Sequence, residues 1–178
     1  MPREVRAERI NLRHPKNEDA AEFIEKSIAS AEFHKGLVTP PTTEGAFMTY
    51  VLKDALESNE CFLICNNSDD GILGAINLSQ IFHGGFKSAY LGYYLFNGFG
   101  GVGYATEAVN AIVKFSFIDL RLHRIEANIQ PHNYDSIELV KNCGFTKEGF
   151  SRKYLQIDGD WRDHERWAII REDLDKEK

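Results

Sequence analysis

Residues 98–108 read GFGGVGYATEA, and this stretch decides how the chain is interpreted. Its first six residues spell G-x-G-x-x-G, the pattern of a phosphate-binding turn, between a strand-like apolar run and a helix-like one. Glycines let a backbone approach a phosphate closely, and the first N–H groups of a helix attract its charge. The stretch therefore predicts a loop that binds a phosphate-bearing ligand.

The position of this loop argues against an NAD site. A Rossmann fold places the glycine pattern in its first βα unit and continues with alternating strands and helices. Here the loop lies past the middle of the chain, after strand-like runs over residues 61–65, 71–82 and 88–96. The short turns between these runs leave no room for helical crossovers, so the runs predict an antiparallel meander.

Hydrophobic spacing and turn residues predict the other elements of an α+β, or mixed α/β, fold. An opening strand lies near residues 8–15 and is followed by two helices. A long helix begins at Tyr104, a strand covers residues 123–130, and a short helix begins after Asn133 and ends at Gly144 in a Schellman motif. Two strands, near residues 145–157 and 161–171, complete a predicted total of seven strands and four helices.

Composition narrows the class of protein. The 178 residues contain no Pro/Gly/Ser-rich linker, which predicts one domain over residues 1–178. A net charge of -6 without a basic stripe argues against direct nucleic-acid binding. The N-terminus lacks an apolar h-region and no run is long enough to span a membrane, so a cytoplasmic protein is expected. The three cysteines suit a reducing compartment, and the six histidines show no metal-ligand spacing, which predicts no metal site.

Several longer motifs together resemble one known family. They are SQIFHGGFKSAYLGYYL, the helix start GYATEA, LHRIEANIQPHNYDS, the helix end NCGF, and YLQIDGDWRDH. This set resembles the GNAT N-acetyltransferases, in particular the branch that acetylates ribosomal-protein alanine. The resemblance implies a GNAT fold, with a mostly antiparallel seven-stranded mixed sheet, about four flanking helices and a splay at the cofactor site. It also implies acetyl-CoA as the cosubstrate.

The resemblance assigns the same glycines to a different motif. Gly103, Tyr104 and Ala105 match the end of the family's Arg/Gln-x-x-Gly-x-Gly/Ala loop, while Gly100 stands where Arg or Gln is customary and Val102 where Lys is frequent. Backbone N–H groups must then supply most of the binding to the coenzyme A diphosphate. The implied cofactor residues of this loop are Gly100, Gly101, Val102, Gly103, Tyr104, Ala105 and Thr106.

The family also implies roles for two further segments. Tyr94, Leu95 and Phe96 would offer backbone groups to the pantetheine arm, although their side chains also suit a core. Asn133 would bind the pantetheine, and Ser136 would protonate the leaving thiolate. Ordinary helix roles remain open for both, namely an N-cap for Asn133 and a first-turn position for Ser136.

A strong general base is optional if the acceptor is an α-amine, because that group has a pKa of about 7.7–8.0 against about 10.4 for lysine. Glu126 is the carboxylate candidate, acting through water. The leading hypothesis is direct acetyl transfer from acetyl-CoA to a protein N-terminus. A small-amine acceptor and a non-catalytic acyl-CoA sensor remain open, and the protein is expected to be a monomer or a homodimer.

Overall fold

The computed structural model describes residues 4–177, which form one eight-stranded sheet flanked by helices. The strands lie in the order β1-β2-β3-β4-β5-β6-β8-β7. Their bounds are β1 Val5–Arg6, β2 Ile10–Arg13, β3 Asn59–Asn66, β4 Ile72–Phe82, β5 Ser88–Leu95, β6 Arg124–Ile129, β7 Thr146–Ile157 and β8 Asp160–Ile170.

Five α-helices connect and cover the strands. They are α1 Ala20–Ala29, α2 Ala31–His34, α3 Glu44–Asp54, α4 Tyr104–Ile118 and α5 Tyr134–Asn142, and short 3-10 turns lie at Asn17–Asp19 and Arg171–Glu177. Among residues 4–177, no helix combines the length and the apolar character needed to cross a membrane.

The structure adds one strand and one helix to those predicted from the sequence. Strand β1 has only two residues, and helix α2 has only four. Elements this short contain only about one period of their hydrophobic pattern, so no repeat is present for spacing to reveal. The predicted meander is confirmed, because β3, β4 and β5 pair in antiparallel register.

Each face of the sheet buries a separate hydrophobic cluster. On one face, α4 and α5 pack Val109, Ile112, Ile137 and Val140 against strand residues that include Ile125. On the other face, α1 and α3 contribute a cluster whose members include Phe23, Phe47, Leu63, Ala75 and Phe96. Alternate residues of the central strands therefore point to opposite faces, as a pleated strand requires.

Strands β5 and β6 form the one parallel pair of the sheet within the described residues. Their pairing runs from Ser88↔Arg124 to Leu91↔Ala127 and then stops, although β5 continues to Leu95 and β6 to Ile129. The two strands diverge from that point. A V-shaped gap thus opens in the middle of the sheet, between residues 92–95 and residues 128–129.

Candidate active site

The backbone of β5 lines one side of the V-shaped gap. The Phe96 N–H donates to the Leu73 carbonyl at 2.9 Å, so it faces β4. Because N–H and C=O groups of successive strand residues point to opposite edges, the Leu95 backbone faces the gap. The side chains of Tyr94 and Phe96 pack with the Phe23 cluster, which is the core role that the sequence left open for them.

A glycine loop, residues 97–103, follows β5 directly and leads into α4. Gly98, Gly101 and Gly103 have φ values of +93°, +79° and +91°, a region that side chains disfavour. A Cβ atom on Gly98, Gly100 or Gly101 would meet nothing within 4 Å, so the loop surface is open. Gly103 is the N-cap of α4 and has no side chain to cap it, which leaves first-turn N–H groups for a ligand.

Arg9 reaches this loop from the turn before β2. Its Nη1 donates to the Val102 carbonyl at 2.9 Å, its Nε to Glu107 Oε2 at 2.9 Å, and its guanidinium lies 4.9 Å from the centre of the Tyr104 ring. Glu107 also accepts from the Arg9 backbone N–H at 2.6 Å. A cation therefore lies beside Val102 and Gly103, in a loop whose own residues include none.

The start of α5 faces the same side of the gap. Asn133 is the N-cap, and its side chain accepts from the Ser136 N–H at 3.3 Å. The Tyr93 hydroxyl donates to the Ser136 carbonyl at 3.4 Å, which ties β5 to the first turn of α5. Burial raises the pKa of Tyr93 to about 12, so its phenol keeps its proton at neutral pH.

Glu126 lies apart from Ser136. It is paired with Tyr90, before the strands diverge, and it alternates with Ile125 and Ala127, whose side chains face the α4–α5 core. Its carboxylate therefore points to the opposite face of the sheet. Glu126 Oε1 accepts from Arg124 Nε at 2.8 Å, so the carboxylate already holds an ion-pair partner.

A strap, residues 34–36, crosses the gap on the α1–α3 side. His34 Nε2 donates to the Leu95 carbonyl at 2.8 Å, and Gln130 Nε2 donates to the Gly36 carbonyl at 2.8 Å. The Gly36 N–H donates to Asp158 Oδ2 at 3.0 Å. The strap thus joins the end of β5 to the end of β6 and to the β7–β8 turn.

A cavity of about 310 Å³ lies beside the strap. It is lined by Lys35, Leu37, His132, Asn133, Tyr134 and Asp135. The strap forms one wall and the start of α5 forms the other. The cavity therefore lies between the strap and the start of α5, next to Asn133.

Comparison with known proteins identifies the family. The Acetyltransferase (GNAT) domain matches residues 9–146. The chain belongs to this GNAT acetyltransferase family. Probable N-acetyltransferase YjcK of Bacillus subtilis is 41% identical over 123 residues, which are 68% of each chain. The GNAT fold predicted from the sequence is confirmed, with eight strands instead of seven, and the chain is an N-acetyltransferase.

Two further relatives come from the ribosomal-protein branch of the GNAT family. The [Ribosomal protein uS5]-alanine N-acetyltransferase of Escherichia coli is 40% identical over 102 residues, which are 57% of this chain and 53% of that one. The structure of Mycobacterium smegmatis RimJ in complex with CoA-disulfide superposes with a TM-score of 0.89 at 28% identity, covering 97% of this chain and 90% of that one. The match to the Escherichia coli enzyme thus spans about half of that enzyme.

The GNAT structure brings together most of the residues predicted for the cofactor, but not the predicted acid and base. The glycine loop, Leu95, Asn133 and Ser136 surround one side of the gap, while Glu126 lies on the other face. Sequence reasoning missed Arg9, Tyr93, His34 and Gln130. Of these, Tyr93 and Gln130 lie within quoted motifs that also contain predicted site residues, so both had a local signal, whereas Arg9 and His34 had none.

Proposed function

We propose that this GNAT enzyme transfers the acetyl group of acetyl-CoA directly to the N-terminal α-amine of a protein. The observation that carries the proposal is the gap between β5 and β6, with an open glycine loop on one side and a strap on the other. When bound, acetyl-CoA supplies an acetyl group activated as a thioester. The residues of this chain hold the two substrates and handle protons.

The glycine loop fits the diphosphate of coenzyme A. The amides of Gly100 and Gly101 lie in a loop with open space where Cβ atoms would stand, the amides of Tyr104 to Thr106 lie in the first turn of α4, and the N-terminal end of α4 adds partial positive charge. Arg9, which is paired with Glu107, adds a guanidinium group next to Gly103, since its Nη2 lies 3.1 Å from where a Cβ would be. The Leu95 backbone and the Asn133 side chain are suited to the amide groups of the pantetheine arm.

Ser136 is the proposed proton donor to the departing sulfur. It lies in the first turn of α5, where the positive end of the helix favours an oxygen that gives up its proton. The Tyr93 hydrogen bond to the Ser136 carbonyl fixes this turn against β5. Glu126, which faces the other side of the sheet, remains the proposed carboxylate that removes a proton through water.

A protein N-terminus is favoured over a polyamine by the cavity beside the strap. Lys35 lines this cavity together with a single carboxylate, Asp135. A polycation needs several acidic groups and would meet the Lys35 charge on the same wall. An extended peptide carries one α-ammonium group, and about a tenth of it is neutral at pH 7. The alanine-directed relatives of the same branch support this choice.

The test is a panel of acceptors assayed by thiol release and mass spectrometry. It contains a peptide with N-terminal alanine, the same peptide with a blocked N-terminus and an internal lysine, spermidine, and free amino acids. We expect acetylation at the α-amine of the first peptide and no product with the blocked one. Transfer to spermidine or amino acids alone would move the function to small amines. If calorimetry shows binding of acetyl-CoA but no acceptor is acetylated, the protein would instead be a non-catalytic acyl-CoA sensor.

A further inference from the structure

A second cavity lies at the end of the sheet opposite to the V-shaped gap. Its volume is about 320 Å³, and its walls include Lys87, Arg121, His123 and Arg171, after which we call it the basic cavity. Since a strand rises about 3.3 Å per residue, Lys87 at this end is about 23 Å from Tyr94 at the gap. The basic cavity is therefore separate from the candidate active site.

Backbone hydrogen bonds bring three of these basic residues side by side. The His123 N–H donates to the Lys87 carbonyl at 2.6 Å, and the Arg171 N–H donates to the His123 carbonyl at 3.0 Å. Neighbouring strands lie about 4.8 Å apart, so the backbones of Lys87 and Arg171 are about 10 Å apart. Arg121 lines the same cavity from the turn after α4. The long side chains of Lys87, Arg121 and Arg171 can therefore reach one common group.

The protein does not neutralise the charges of Lys87, Arg121 and Arg171. Among the described side chains, no carboxylate forms an ion pair with these three, while Glu172 pairs with His123 at 3.0 Å between Oε2 and Nε2. The chain has 27 acidic and 21 basic residues, so a cluster of unpaired cations is not a consequence of composition. Like charges repel one another, and an anion bound between them would remove that repulsion.

Two of these cations occupy strained backbone positions. Lys87 has a φ of +42° and Arg121 a φ of +55°, in the left-handed region that side chains disfavour. Glycine adopts this conformation at lower cost, and it is the usual left-handed residue after a helix. Folding alone therefore gives no reason for a long cationic side chain at either position, whereas binding of a ligand does.

An exposed aromatic ring lies beside the cations. Phe86 lines the basic cavity and is 79% exposed, and its ring centroid is 6.4 Å from that of Phe82, which is 52% exposed. Nucleic-acid bases stack on exposed phenyl rings of this kind. A ring next to several cations therefore suits a ligand that joins a flat base to a phosphate.

We propose that the basic cavity binds a nucleoside monophosphate, with its phosphate on Lys87, Arg121 and Arg171 and its base on Phe86. A phosphate dianion pairs with several cations at once, and guanidinium groups bind it through two parallel hydrogen bonds. The cavity volume is close to the lower limit of about 300 Å³ for ligand pockets, which suits a mononucleotide. A long nucleic acid is disfavoured by the net charge of -6. This site goes beyond acetyl transfer and does not rest on the proposed function.

The test is calorimetric titration of uridine monophosphate into protein that already holds one equivalent of coenzyme A, so that the glycine loop is occupied. Inorganic phosphate and uridine are titrated separately. We expect one site for uridine monophosphate, binding of inorganic phosphate that is about tenfold weaker because stacking is lost, and no detectable binding of uridine. Equal affinities for uridine monophosphate and inorganic phosphate would overturn the assignment of a mononucleotide.

Three single substitutions remove the proposed contacts one at a time. Lys87→Gln and Arg171→Gln should each weaken binding of uridine monophosphate about tenfold, since each removes a charged hydrogen-bond donor. Phe86→Ser should weaken it to a similar extent but leave the affinity for inorganic phosphate unchanged. All three side chains are exposed, so the melting temperature should stay close to that of the wild type.

A fourth substitution, Arg121→Gly, separates binding from folding. Glycine relieves the left-handed strain, so the melting temperature should rise, while the affinity for uridine monophosphate should fall about tenfold. If Arg121 served only the fold, the melting temperature would fall and the affinity would stay unchanged.

The matched control is Arg152→Gln. Arg152 is an exposed arginine of β7 outside the basic cavity, so its substitution changes the net charge by the same amount as Arg171→Gln. We expect wild-type affinity for uridine monophosphate in this variant. A loss equal to that in Arg171→Gln would show that overall charge attracts the anion, and would overturn the proposal. Unchanged affinity in all four variants of the basic cavity would overturn it as well.

Discussion

The glycine loop at residues 97–103 and the strap at residues 34–36 lie on two sides of the same gap, but they are built differently. The loop consists of consecutive residues, and its open backbone follows from glycines at positive φ. The strap is held by partners 94 and 122 positions away in sequence, Gln130 and Asp158. Local residue types form the loop, whereas the tertiary fold forms the strap.

This difference corresponds to two kinds of ligand, namely the coenzyme A that the family shares and the acceptor amine that differs among its members. A diphosphate is the same in every coenzyme A molecule, so a short run of glycines before a helix is sufficient to bind it. Acceptor amines differ, and the strap that we propose to face them lies within the first 60 residues, which none of the five quoted motifs covers. Perturbing each side should therefore give separable effects on cofactor and acceptor.

The largest effect is expected at β5. The glycine loop follows this strand directly, and the strap is bonded to it at Leu95. A Cβ on Gly74 would lie 2.1 Å from the Tyr94 carbonyl oxygen and 2.8 Å from Leu95 Cα, so Gly74→Ala must push β5 away from β4. Overpacking of this kind costs about 3 kcal/mol. We expect a loss of that size in urea denaturation, together with weaker binding of both substrates.

Gly84→Ala is the control for that strand displacement, because a Cβ on Gly84 meets nothing within 4 Å. It should change stability by less than about 0.5 kcal/mol. Equal stability of the two variants would show that β4 and β5 are not packed as closely as described here.

Ser136→Ala should have the next largest effect, confined to the chemical step. Loss of a positioned proton donor typically costs about a hundredfold in rate. We expect kcat to fall by about that factor in steady-state assays, while calorimetric affinity for acetyl-CoA stays within about twofold.

A companion variant, Asn133→Ala, should instead weaken cofactor binding and lower stability by about 1 kcal/mol through loss of the α5 cap. Unchanged kinetics in both the Ser136→Ala and Asn133→Ala variants would show that the start of α5 is not part of the active site.

A pair of variants tests the two sides of the gap against each other. Arg9→Gln removes the bond to the Val102 carbonyl and the charge beside the loop, and should weaken coenzyme A binding about tenfold by calorimetry. Asp158→Gly removes the bond to the Gly36 N–H and should raise the acceptor KM about threefold. Each variant should leave the other substrate's affinity within about twofold. Equal effects of both variants on both substrates would mean that loop and strap act as one unit.

The sequence predicted those parts of the molecule whose causes are local. The Schellman end of α5 is confirmed, with Gly144 at φ +87° and the Phe145 N–H donating to the Val140 carbonyl at 2.9 Å. The Asn133 cap is confirmed too. These motifs are specified by three to six consecutive residues, so one stretch of chain contains all the information.

The rest of the site depends on contacts that no local pattern encodes. Arg9 and Glu107 lie 98 positions apart, and no spacing rule connects them. His34 resembled the other histidines in sequence, because its burial and its Leu95 partner exist only in the folded chain. The single domain, the roles of Ser136 and Glu126, the lack of a metal site, and the monomer or homodimer state all stay predictions.

The smallest effect is expected from a histidine at the edge of the sheet away from the strap. His14 Nδ1 lies 2.9 Å from Asp54 Oδ2, and Nε2 lies 3.8 Å from Glu60 Oε2, so the ring stands between two carboxylates. The hydrogen bond to Asp54 is the main cause that raises the pKa of His14 above its usual value.

This raised pKa sets the sign of a pH effect on stability. The folded state binds the His14 proton more tightly than the unfolded state does, so the stabilisation is complete below the unfolded pKa of about 6.5 and is lost as the pH rises through the folded value. The melting temperature of wild type minus that of His14→Gln should therefore be larger near pH 6 than near pH 9. In an Asp54→Asn background the pH dependence of this difference should become smaller, with Glu60 still beside the ring. Because His14 touches neither the loop nor the strap, the affinities for coenzyme A and for peptide should be unchanged. A change in either affinity would show that His14, Asp54 and Glu60 are coupled to the gap.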